Sequence, residues 1–102
     1  MIVRISKGIY PAGLHAEVTT RMNAASQRLI PAIRKLPGCL GFYVTTEENS
    51  STMVNVGIWE TLERAEAMSA LAEMTALAQA FIALGVEFER PIINYPVLRK
   101  VP

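Results

Sequence analysis

Along this chain the spacing of apolar residues switches between a period of two and a period of about 3.6, in the order strand, helix, strand, strand, helix, strand. Few folds accept that order. Residues 2 to 9 alternate, with Val3, Ile5 and Ile9 on one face and Arg4 and Ser6 on the other, until Tyr10-Pro11-Ala12-Gly13 breaks the run. From Leu14 the apolar positions Val18, Met22, Ala25, Leu29, Ile33 and Leu36 fall at helical spacing, and Pro37-Gly38 ends the helix. Pro31 removes one backbone donor inside it, which predicts a kink or interruption near Gln27. Leu40 to Thr46 and Thr52 to Glu60 are rich in β-branched and aromatic residues around the polar run Glu47 to Ser51, the pattern of a hairpin. Thr61 is placed to cap a second helix with Glu63 in its first turn. Met68, Leu71, Met74, Leu77 or Ala78, Phe81 and Leu84 mark its apolar side, with a break expected near Ser69 or Thr75. From Glu87 to Val101 the chain reads as a last strand that Pro91 and Pro96 restrict to an edge or a bulged course.

The order β-α-β-β-α-β is that of the ferredoxin-like split fold, an α+β domain with one antiparallel sheet and both helices on one face. The 102 residues, 51% of them hydrophobic, suit one domain over residues 1–102, burying roughly two thirds of the surface that its unfolded chain exposes. Such a sheet leaves one face bare. The hairpin, however, offers Leu40, Phe42, Val44, Val54, Val56 and Ile58 on one set of positions and Tyr43, Met53 and Trp59 on the other, and neither set reads as solvated. Contiguous apolar patches beyond a few hundred Å² are rare on monomers, so a second copy of the sheet is expected to close the bare face in a two-fold homodimer, with the proline-bearing last strand as an arm toward the neighbour.

Several classes of function are disfavoured by composition. A formal net charge of +1 with scattered basic residues gives no footprint for phosphate backbones, so nucleic acid is set aside. Cys39 is the sole cysteine, which excludes an intrachain disulfide and a thiolate zinc cluster and fits a cytoplasmic address. Apolar runs fall well short of the roughly 20 residues that cross a bilayer, and no membrane partner is expected. No metal site is expected either, since Glu47 and Glu48 lack a histidine or aspartate at ligand spacing and read as a solvated hairpin tip.

The stretch Asn55-Val56-Gly57-Ile58-Trp59 carries the chemistry. In a strand, Asn55, Gly57 and Trp59 share one face, with an amide and the only indole roughly 13 Å apart over the gap left by the glycine. That spacing brackets a flat molecule of two or three rings. The alternative is that Trp59 is a core anchor and Asn55 satisfies nearby backbone. His15, at the start of the first helix, is a candidate acid, base or ligand contact if it faces the same space; an exposed first-turn histidine is the other reading. Cys39 and the methionines at 22, 53, 68 and 74 read as core filling.

The run Pro37-Gly38-Cys39-Leu40-Gly41-Phe42-Tyr43, the strand to Asn55-Val56-Gly57-Ile58-Trp59-Glu60-Thr61, and the alanine-rich helix containing Ala65 resemble the antibiotic biosynthesis monooxygenase-like proteins of the dimeric α/β-barrel superfamily. The resemblance covers Ile2 to about Val97. It implies a homodimer, a small hydrophobic or aromatic ligand, and an activity of the kind found among cofactor-free oxygenases that convert polycyclic phenols to quinones. In those enzymes an asparagine four residues before a tryptophan lines the pocket, so Asn55 and Trp59 are the implied catalytic and substrate-binding residues, and no cofactor is implied. Those two positions alone carry over; Tyr43 and His15 stand beside them as candidate substrate contacts on residue type. The tyrosine that such oxygenases carry on the following helix has no counterpart, since the tyrosines here are Tyr10, Tyr43 and Tyr95. The axial histidine of the haem-degrading branch is absent from Thr61 to Gly85. A dimeric binding or stress-response protein that keeps the pocket without the chemistry stands as the alternative.

Overall fold

The computed structural model describes residues 1–102 and has the expected α+β architecture. Strand β1 (Ile2–Ile9) leads to helix α1 (His15–Arg34), followed by β2 (Cys39–Glu47) and β3 (Thr52–Trp59). Helix α2 (Leu62–Glu66), a 3-10 turn (Ala67–Ala70) and helix α3 (Ala72–Ala83) come next, and then β4 (Glu87–Phe88) and β5 (Ile93–Pro96). All pairings are antiparallel. β3 lies between β2 and β1, and the far edge of β1 is shared, with β4 on Gly8 and Ile9 and β5 on Ile2 to Ile5. The expected single last strand is thus two short ones. Pro91 lies in the gap, and Pro96 ends β5, in keeping with the missing ladder donors. Both pieces stay on their own sheet, so the expected arm toward a neighbour is not seen in β4 or β5.

Helix α1 runs without interruption through Pro31, so of the kink or interruption expected near Gln27 the interruption does not occur. The proline leaves the Gln27 carbonyl without its i+4 donor, but Gln27 is exposed and water can serve that oxygen. Leu29 and Ile33, both buried, hold the helix to the core on either side of the proline. The second helix does break. Thr61 caps α2 by accepting the Arg64 amide at 3.2 Å, the helix tightens into the 3-10 turn, and Leu71 leaves helical geometry at φ −75°, ψ 116° before α3 starts.

Pairing fixes the faces of the sheet. Rows Cys39–Trp59–Ile2, Phe42–Gly57–Arg4–Asn94 and Val44–Asn55–Ser6 run across the strands on the face that the helices cover. Rows Tyr43–Val56–Ile5–Ile93 and Ile58–Val3–Tyr95 run on the other. This corrects the sequence reading of the hairpin, in which Phe42 and Val44 were grouped with Val54, Val56 and Ile58. The turn makes the difference: it sets Glu47 opposite Thr52, and the unbroken register back to Gly41 then puts Phe42 opposite Gly57 and Val44 opposite Asn55, while a bulge between Cys39 and Gly41 keeps Cys39 opposite Trp59 on the same face. The covered face packs on Val18, Met22, Leu29 and Ile33 of α1 and Phe81 of α3, with Trp59 among the largest fully buried side chains.

Candidate functional site

Between the middle of the sheet and the broken second helix lies a cavity of about 210 Å³. Gly57 forms its floor, flanked by Phe42, Asn55, Arg4 and Ser6 on neighbouring strand positions. Met68 and Ser69 of the 3-10 turn and Met74, Thr75 and Ala78 of α3 form the roof, so the cavity opens where the helix is divided. Arg90 and Ile92, in the segment joining β4 to β5, complete a wall.

Asn55 and Trp59 do share a face, as alternation requires, but they stand differently toward the cavity. Asn55 is 9% exposed and lines it, and its Oδ1 is buried without a hydrogen-bond partner. An unpaired buried amide oxygen costs about 1–3 kcal/mol, which a ligand donor would recover. Trp59 is fully buried and does not line the cavity; its indole lies back along the strand, with Nε1 2.5 Å from where a Cβ on Gly57 would be. The tryptophan therefore props the floor from within the core instead of covering a ring system. Its Nε1 also has no partner.

Two residues that the sequence reading passed over dominate the electrostatics. Arg4, opposite Gly57 in the sheet register, is 9% exposed, donates to Asn94 Oδ1 at 3.0 Å and to Ser69 Oγ at 2.9 Å, and forms no ion pair with a carboxylate. Burial, then repulsion from Arg90, hold its guanidinium below the ordinary arginine value, against a smaller pull upward from Glu66. Arg90 donates to the backbone oxygen of Glu89 at 2.8 Å and stacks over Phe88 with 4.8 Å to the ring centroid. The alternation of β1 held the signal for Arg4. Its apolar residues Val3, Ile5 and Ile9 face away from the helices, which leaves the polar positions facing inward beside Asn55.

The remaining candidates lie elsewhere. Tyr43 is 60% exposed on the uncovered face of the sheet, opposite Val56, and is not a contact of this cavity. The register set by the turn, with Glu47 opposite Thr52, puts it there. His15 sits by the hairpin tip, with Nδ1 2.7 Å from the Tyr10 hydroxyl and Nε2 3.4 Å from Glu48 Oε2, where it ties the start of α1 to the β2–β3 turn and does not reach the cavity. Burial, with the charges of Glu47 and Glu48, raises the Tyr10 phenol above its usual value. Cys39 is part-buried, with Sγ 3.6 Å from the Gly41 carbonyl oxygen. No helix is long and apolar enough to cross a membrane.

Comparison with known proteins agrees with this architecture. The family model for antibiotic biosynthesis monooxygenase matches residues 14–80. No curated protein matches the chain. Among solved structures, a candidate antibiotic biosynthesis monooxygenase from Deinococcus radiodurans superposes with a TM-score of 0.76 at 18% identity, over 100% of this chain and 97% of that one. SnoaB, a cofactor-independent oxygenase from Streptomyces nogalater, gives 0.71 at 14% identity, over 99% and 96%. A MhuD R26S variant with two manganese protoporphyrin IX molecules bound per active site gives 0.66 at 20% identity, over 100% and 99%.

Proposed function

The chain belongs to the antibiotic biosynthesis monooxygenase family, and from that premise we propose that it is a cofactor-independent monooxygenase acting on a flat, oxygenated aromatic or polyketide-like molecule bound between sheet and broken helix. The observation that carries the reading is the Asn55 amide, nine-tenths buried and unpaired at Oδ1, beside a glycine floor in a ligand-accessible cavity. A phenol bound over Gly57 has its ring between Phe42 and the methionines of the roof. The neutral phenol donates its hydrogen to the unpaired Asn55 Oδ1, and as it ionises rotation of the side-chain amide turns Nδ2–H to the phenolate oxygen, stabilising the anion that gives electrons to dioxygen. One oxygen atom enters the ring carbon as a carbonyl in place of two hydrogens, and the other leaves with those hydrogens as water. The substrate supplies every electron, so the step needs no flavin or metal.

A second reading, a dimeric small-molecule-binding protein without turnover, is favoured by one feature. The titratable groups of the cavity are Arg4 and Arg90, both cations, and neither serves as a general base. Incubation with a two- or three-ring phenol under air separates the readings. Turnover gives quinone with one dioxygen consumed per molecule, and Asn55→Ala lowers the rate at least a hundredfold, the usual scale for removing one oxyanion donor. Equal oxygen uptake by wild type and Asn55→Ala ends the catalytic role of the amide.

Residues 1–102 are read as one such domain, in a homodimer closed through the uncovered sheet face. Val3, Ile5, Val54, Val56 and Ile58 sit there half-buried, with Ile9, Tyr43, Ile93 and Tyr95 exposed around them. A row of this kind is what a second sheet buries.

A further inference from the structure

We infer that the cavity selects an aromatic ligand that carries a carboxylate, with Arg4 as the residue that seats the charge and Arg90 beside it. The inference rests on the ligand site proposed above and narrows its chemical class. A guanidinium presents five donors in a planar fork, and Arg4 commits one bond to the Asn94 side chain and one to the Ser69 hydroxyl, both neutral acceptors. Taking a cation out of water is costly unless an opposite charge comes with it. Here the nearest compensation is Glu66 at the outer mouth, beyond ion-pair distance, while Arg90 adds a second positive charge on the same wall. The two arginines border both the inner cavity and the shallow outer hollow that continues from it. The site as folded is thus one negative charge short.

The rest of the cavity fixes the shape of the ligand. Asn94 and Ser69 hold Arg4 from the strand and the 3-10 turn, so the guanidinium plane is set before anything binds, the condition for a paired contact with a carboxylate. Asn55 lies one step along the sheet on the same face, where its unpaired oxygen accepts a hydroxyl hydrogen. A volume of about 210 Å³ is below the roughly 300–1,000 Å³ of drug-sized sites, which suits two fused rings better than four. A hydroxynaphthoate meets all three demands: carboxylate to Arg4, hydroxyl to Asn55, rings over Gly57.

Titration of the wild-type protein with 3-hydroxy-2-naphthoate and with its uncharged twin, 3-hydroxy-2-naphthamide, tests the inference, read by ligand fluorescence. The acid is expected to bind at least tenfold more tightly than the amide, and Arg4→Gln to bring the two within twofold of each other. Equal binding of acid and amide to wild type overturns the inference without reference to any variant, as does an acid preference that survives in Arg4→Gln. Should Arg4→Gln fail to fold, the wild-type pair decides alone. Oxygen uptake in the same samples keeps the two conclusions apart. Acid-selective binding without uptake removes the oxygenase and keeps the charge selection, whereas uptake with equal acid and amide binding does the reverse.

Discussion

At Gly57 the chain has no room for a methyl group. A Cβ there would stand 2.5 Å from Trp59 Nε1 and 3.4 Å from Phe42 Cδ2, and it would rise into the cavity floor. Gly57→Ala must therefore move a fully buried indole or bend the strand, and the expected cost is about 1–3 kcal/mol, seen as a lower thermal unfolding midpoint together with weaker ligand binding. Unchanged stability would mean that the indole yields freely. Trp59 invites the opposite substitution. Its Nε1 is buried without a partner, so Trp59→Phe removes an unsatisfied donor along with some packing and should destabilise by less than about 2 kcal/mol, where Trp59→Ala, leaving a large void, should cost about 3–5 kcal/mol in denaturant titrations. Alternation along β3 alone places Asn55, Gly57 and Trp59 on one face. Which of them touches the ligand space depends on the indole's rotamer and on what packs above it, neither of which is written locally.

The elements divide in the same way. Thr61 as a cap and a break near Ser69 are legible because a hydroxyl before a helical run and a weakened run leave local marks, and the 3-10 turn at Ala67–Ala70 is where the cavity opens. The continuous course of α1 through Pro31 was not legible, because anchoring by Leu29 and Ile33 outweighs one missing hydrogen bond. The β2–β3 turn makes a pH prediction of its own. Glu47 accepts from the Ser50 hydroxyl at 2.6 Å, from the Ser50 amide at 2.6 Å and from the Asn49 amide at 3.1 Å, which together hold its carboxyl below the ordinary glutamate value. The folded-state value is the lower one, so this contribution to stability is complete above the unfolded-state value, about 4.3, and is lost as pH falls through the folded-state value. Amide resonances of Asn49 and Ser50 should report that titration below pH 4.3, and Glu47→Gln should abolish it.

For the whole molecule, the uncovered sheet face makes the sharpest prediction. Val56 lies near its centre, between Tyr43 and Ile5 in the register, so Val56→Asp puts a charge where the second sheet would pack. Sedimentation at micromolar concentration should give twice the 11.2 kDa chain mass for wild type and the single-chain mass for Val56→Asp. A wild-type monomer removes the dimer, and a dimer that survives the aspartate places the interface elsewhere. By itself the sequence determined the order of elements, the antiparallel α+β sheet with one surplus apolar face, and the shared facing of Asn55 and Trp59, since period and alternation are properties of neighbouring residues. Tertiary structure alone decided that Trp59 lies beneath the floor, that Tyr43 faces away, and that Arg4 joins Asn55 at the cavity. Those outcomes follow from strand register and the seating of a divided helix, where residues far apart in the chain compete for the same space.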